Sequence, residues 1–177
     1  GPNVTNMRNA YSYCYNLTGN PVCETNVKDM YQTYMRCQSL TGSPVCGDNV
    51  TDMTGTYYGC GNLSGTAVCG PNVTNMLLTY LQCNNITTPV CGPNVTDMSQ
   101  TYYDCARLTG SPICGDKVIN MYSTYRNCRN LKGSPVCGAN VTDMSSAYSS
   151  CINLTGNPVC GANVTDMSSA YSGCTNL

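Results

Sequence analysis

The sequence predicts an α/β repeat solenoid, with one short strand and one short helix or 3₁₀ turn in each 23-residue unit. Two observations point there. The cysteines at 14, 23, 37, 46, 60, 69, 83, 91, 105, 114, 128, 137, 151, 160 and 174 alternate in steps of 9 and 14, with one step of 8. Val recurs at 4, 27, 50, 73, 95, 118, 141 and 164, with Met three residues later and Tyr seven later in every copy. Self-similarity at such a period marks units that bury their apolar face only by stacking on neighbours.

Within a unit, Val4, Met7, Ala10, Tyr11, Cys14 and Leu17 are spaced 3, 3, 1, 3 and 3, which suits one face of a short helix or 3₁₀ segment. Its start carries Asn before Val and Asp three residues after that Asn, as in Asn49 and Asp52, Asn140 and Asp143, or Asn163 and Asp166. This resembles a capping box, in which the Asn oxygen accepts a free backbone N–H. Lys117-Val-Ile-Asn120 departs from it and predicts a weaker cap. The connectors, such as Leu40 to Gly47 and Leu131 to Gly138, are rich in Gly and Pro and read as a short strand edged by turns. Pro21, Pro44, Pro89, Pro112, Pro135 and Pro158 withhold a ladder donor, leaving a strand of about two or three residues around Val22-Cys23 and its equivalents. One residue is missing in Ile86-Thr-Thr-Pro89, inside a connector, so the core columns stay aligned. In the third repeat those columns are Val50, Met53, Tyr57, Cys60, Leu63, Val68 and Cys69. Stacked at about 4.8 Å, residues 1–177 form a single solenoid of nearly eight repeats and a rod roughly 35 to 40 Å long.

Composition removes several classes of function. The 177 residues include no His, Trp or Phe, and eight basic residues nearly balance nine acidic ones. A general base or metal-ligating imidazole is lacking, so a non-enzyme without cofactor or metal is expected. Eight basic residues are too few for a phosphate-tracking surface, which argues against nucleic acid. No apolar run of about 18 residues predicts membrane insertion. The chain opens on Gly1-Pro2 and lacks distinct capping repeats, so it reads as a window of a longer array, with end-to-end stacking of copies as the alternative.

The fifteen cysteines leave three readings open: small buried hydrophobes in core columns, disulfides, or a metal chain. Disulfides would pair Cys14 with Cys23 within a repeat, or Cys23 with Cys37 across repeats, with one cysteine left over. Ten Asn-x-Ser/Thr triplets, at Asn3, Asn16, Asn49, Asn62, Asn72, Asn85, Asn94, Asn140, Asn153 and Asn163, read either as glycosylation acceptors or as capping and turn residues. A Thr and Asn ladder also raises an ice-binding face, against which stands the lack of a flat Thr-x-Thr row.

Asn-Val-Thr-Asp-Met followed by Ser-Ser-Ala-Tyr-Ser-Gly-Cys-Thr-Asn-Leu (residues 163–177) resembles the BspA-like leucine-rich repeat of bacterial surface proteins. The resemblance covers the whole chain, with Val164, Met167, Tyr171, Cys174 and Leu177 in the family's fixed places. Tyr stands where Phe is usual, the unit is shorter, and Gly-x-Pro-Val-Cys replaces a longer Leu-rich strand, which implies a flattened concave face. The resemblance implies a location outside the cell, at a cell surface or on a phage virion, and a role in adhesion.

The variable places are then the candidate contacts. Tyr13, Tyr15, Tyr31, Met35, Tyr58, Tyr103 and Tyr122 stand between the fixed columns, where broad amphipathic side chains suit recognition. The expectation is an extracellular scaffold that binds a protein or glycan on a cell surface. Its rival is the subunit or shaft of a fibre or phage tail, favoured by the near-identity of residues 138–150 and 161–173.

Overall fold

The computed structural model describes residues 1–177 as eight coils stacked in parallel. Single parallel bridges link Asn6, Asp29, Asp52, Asn75, Asp97, Asn120, Asp143 and Asp166 in succession, one residue per coil. The predicted helix is absent. In its place each coil carries two consecutive turns, closed in the second repeat by Thr33 N–H to Met30 C=O at 3.1 Å and Cys37 N–H to Tyr34 C=O at 3.0 Å. The third residue of each turn lies in the left-handed region, as type II turns require. Thirteen of these sixteen positions are not glycine, among them Tyr13 (φ 61°), Arg36 (φ 63°) and Leu78 (φ 58°).

The apolar spacing suits both structures, because turns repeated every four residues also bring Met, Tyr and Cys to one side. What separates them is the destination of the N–H groups. A helix directs them along itself, whereas these turns direct alternate ones to the next coil. In the second repeat Met30, Gln32, Tyr34 and Arg36 donate to the carbonyls of Asp52, Thr54, Thr56 and Tyr58 at 3.0, 2.8, 2.9 and 2.6 Å. A left-handed L-residue costs on the order of 1–2 kcal/mol. Four inter-coil bonds of about 1 kcal/mol each, with apolar burial, offset that strain.

The capping box is also corrected. The aspartate accepts an N–H two residues on, as in Thr54 N–H to Asp52 Oδ1 and Ser145 N–H to Asp143 Oδ1, both 2.8 Å. The asparagine donates instead of accepting: Asn49 Nδ2 reaches Thr25 C=O at 2.9 Å and Asn163 Nδ2 reaches Ala139 C=O at 2.8 Å. Each therefore ties its coil to the one before. Lys117, which breaks this column, donates to Asn94 Oδ1 at 2.6 Å.

The predicted strand in every connector is replaced by a two-stranded parallel sheet at one place, β1 (Ser64–Thr66) and β2 (Asn85–Thr88). The reason is the missing proline. Ala67 occupies the proline column, has an N–H, and donates to Thr88 C=O at 3.1 Å, while proline elsewhere has nothing to give. The register shift between Gly65 and Thr66 coincides with the residue missing from the fourth repeat.

Val50, Met53, Tyr57, Cys60 and Leu63 are fully buried in one continuous core, as their columns predict. Val68 and Cys69 are corrected to half-buried, and the deeper connector column is Pro21, Pro44, Ala67, Pro89, Pro112 and Pro135. Eight tyrosines from Tyr11 to Tyr171 form an offset stack, with neighbouring centroids 5.2–5.7 Å apart and ring planes within 13°. Their hydroxyls satisfy the connector. Tyr57 Oη donates to Val45 C=O at 2.7 Å and accepts the Val45 N–H at 3.0 Å, the two groups that a ladder interrupted at Pro44 leaves without partners, and Tyr80 does the same for Val68 at 2.8 and 2.9 Å. Buried threonines are satisfied similarly, the single hydroxyl proton of Thr56 being shared between the carbonyls of Met30 and Met53, each 2.8 Å from Oγ1.

Candidate functional site

All fifteen cysteines are unpaired thiols. In the core column Cys60 Sγ donates to Tyr34 C=O and Cys83 Sγ to Tyr57 C=O, each at 2.9 Å. Burial pushes the Cys60 thiol up to about 12, with the Cys37 thiol adding to it. Burial likewise raises Cys69 and Cys114 to about 12. Such thiols are poor nucleophiles at neutral pH, because the thiolate is the reactive form. Burial also raises the Tyr34 phenol to about 12.

The central residues of the type II turns stack into columns one residue wide on the side away from the core column, some exposed and others, such as Thr54, Leu81, Ser99 and Ser123, buried between coils. One column runs Ser12, Met35, Tyr58, Leu81, Tyr103, Arg126, Ser149 and Ser172, held coil to coil by bonds such as Arg36 N–H to Tyr58 C=O and Gln82 N–H to Tyr103 C=O. Three predicted contacts, Met35, Tyr58 and Tyr103, are thereby brought into one ridge. All three are half-buried, a correction to the solvent-facing places expected of them. Arginines brace the ridge. Arg36 lies 4.5 Å over the Tyr58 ring and donates to its hydroxyl at 2.6 Å, and Arg126 lies 5.5 Å over Tyr103.

The remaining candidates are spread out. Tyr31 sits half-buried beneath Arg8, whose guanidinium is 4.0 Å above it and 3.1 Å from Asp29. Tyr122 shares that column but stands four coils away, exposed. Tyr13 and Tyr15 form an exposed edge-to-face pair, 6.2 Å apart, in the first coil. The seven candidates thus make one ridge and three separate points.

Beside the ridge the structure adds a feature that sequence reasoning missed. A groove of about 790 Å³ runs past the second to sixth coils, and Ala106 is the one apolar residue among the twelve lining it. Its floor is the third coil, where Gly59 and Gly61 stand in columns that carry Arg36 and Gln38 before them and Gln82 and Asn84 after them. The available signal was the loss of two side chains at variable places of one repeat. At the far end Asn127 donates to Asp104, and Arg129 Nε donates to Asn127 Oδ1 at 2.8 Å.

Stacked coils joined by inter-coil backbone bonds, with an unbroken core and a columnar outer surface, define a repeat solenoid of the leucine-rich-repeat type. No protein family and no curated protein matches the sequence. Among solved structures, the crystal structure of the leucine-rich repeat protein of T. pallidum is similar, with a TM-score of 0.58 at 18% identity. The match covers 72% of this chain and 61% of that one, and at this identity it concerns the fold.

Proposed function

We propose that this chain is a non-catalytic extracellular repeat scaffold that adheres to a cell-surface partner through its variable columns. The narrower affinity to BspA-like surface repeats belongs to this proposal and rests on the Asn-Val-Thr-x-Met and Cys-x-x-Leu residues. The observation that carries it is the braced ridge of Met35, Tyr58, Tyr103 and Arg126, in which Leu81 is buried between Tyr58 and Tyr103. Tyrosine and arginine dominate the energetics of recognition surfaces, and here inter-coil bonds and stacked guanidinium groups fix their orientation before any partner arrives. The fixed columns hold the coils together, so the ridge can vary without cost to the core.

The experiment is binding of fluorescently labelled protein to bacterial and animal cell surfaces, comparing wild type with the double variant Tyr58→Ser, Tyr103→Ser. Serine already stands in this column at Ser12, Ser149 and Ser172, so the variant should fold. Saturable wild-type binding that falls by about tenfold or more in the variant is expected, corresponding to the removal of two hot-spot side chains. No saturable binding to any surface, or equal binding by both proteins, would overturn the reading. A second reading, the shaft of a fibre, is favoured by the plain face of the last two coils, where Ser145, Ser146, Ser149 and Ser150 are followed by Ser168, Ser169, Ser172 and Gly173. Filaments seen by electron microscopy, without cell binding, would select it.

A further inference from the structure

The groove beside the ridge has a chemistry that restricts its ligand. Small-molecule pockets of 300–1,000 Å³ are usually lined by apolar side chains. This groove has the size, but eleven of its twelve lining residues are polar, charged or glycine, so it offers no wall of apolar side chains. A cationic occupant is also disfavoured, because two guanidinium groups, Arg36 and Arg129, face the one carboxylate of Asp104. Arg36 is engaged by Tyr58, and Arg129 and Asp104 are joined through Asn127. What remains is amide. Gln38, Gln82 and Asn84 flank the glycine floor, and none is tied into the coil ladder as Asn85 and Asn130 are, whose Nδ2 atoms donate to Gly61 C=O and Ala106 C=O at 2.8 and 2.7 Å. A carboxamide both donates and accepts, so a row of them matches a ligand that offers hydroxyls of both kinds along its length.

The groove also has a direction. It follows the solenoid axis across five coils, bordered by the ridge through the chain neighbours Tyr58-Gly59 and Tyr103-Asp104. We propose that this groove binds a linear oligosaccharide, laid over Gly59 and Gly61, with its hydroxyls bridged by Gln38, Gln82 and Asn84. This deepens the scaffold reading and rests on it.

Gly61 supplies the test. A Cβ at this position meets nothing within 4 Å, its backbone is not left-handed, and the same column carries Gln38, Asn84 and Ile152 in other coils. Gly61→Ile therefore fills the floor and leaves the fold alone. Wild type, Gly61→Ile and Gln82→Ala are applied to a printed array of linear neutral and uronate-containing oligosaccharides, and hits are titrated by fluorescence anisotropy. The expected result is wild-type binding that Gly61→Ile weakens by about tenfold or more, with an unchanged thermal midpoint, and that Gln82→Ala weakens less. No signal across the array, or binding unaffected by Gly61→Ile, overturns the proposal. Failure of the glycan proposal is separable from failure of the scaffold reading. If labelled protein binds cells equally before and after periodate oxidation of their glycans, the partner is protein, the groove assignment falls and the scaffold stands. If the protein binds neither cells nor array, both fall.

Discussion

Tyr80→Phe isolates the contribution of a single hydroxyl. The ring stays in a fully buried stack, 5.6 Å from both Tyr57 and Tyr102, so packing is conserved. The loss is the oxygen that donates to Val68 C=O at 2.8 Å and accepts Val68 N–H at 2.9 Å. Each unsatisfied backbone group costs about 1–3 kcal/mol when buried. Val68 is half-buried, so water relieves part of this, and a destabilisation of about 2–4 kcal/mol follows for the pair. Tyr171→Phe is the internal control. Its hydroxyl is more exposed and only donates, to Val159 C=O at 2.9 Å, so its loss should cost under about 1 kcal/mol. Urea titration followed by circular dichroism at pH 7 measures both. The reasoning is refuted if Tyr80→Phe lies within about 0.5 kcal/mol of wild type, or if Tyr171→Phe costs as much.

The remaining predictions concern pH and close packing. Burial raises Cys60 and Tyr34 to about 12 from ordinary values near 9 and 10. Since the folded state holds these protons more tightly, stability is fully present below about pH 9 and is lost as pH rises from 9 toward 12. With no histidine, the thermal midpoint should be flat between pH 5 and 8, and a larger change there than between pH 9 and 11 would contradict this. A Cβ on Gly92 would stand 2.6 Å from Cys69 Sγ and 3.1 Å from Gly70 C=O, so Gly92→Ala should destabilise by about 1–3 kcal/mol. Adding Cys69→Ala should recover part of that loss in a double-mutant cycle, and a neutral Gly92→Ala would show that the coils are not held at this spacing.

The repeat itself was legible in the sequence because stacking forces the same apolar residue into the same place of every coil. The Val, Met, Tyr, Cys and Leu columns therefore announced both the solenoid and its core. The turns were not legible. Residues spaced 3, 3, 1, 3 and 3 satisfy a helical face and a chain of type II turns alike, and left-handed Leu78 and Arg36 carry no local sign of that conformation. Only the neighbouring coil decides between them, by accepting the N–H groups that a helix would keep for itself. The prolines were read correctly as interrupting the ladder, but the Tyr hydroxyl that replaces it, as Tyr57 does after Pro44, comes from 12 residues away in sequence. Tyr58 and Tyr103 were identified singly, whereas their alignment into a ridge required the coils to be in register. The groove lay furthest out of sight. Gly59 and Gly61 are ordinary turn residues in the chain, and they become a floor only when Arg36, Gln38, Gln82 and Asn84 rise on the coils to either side.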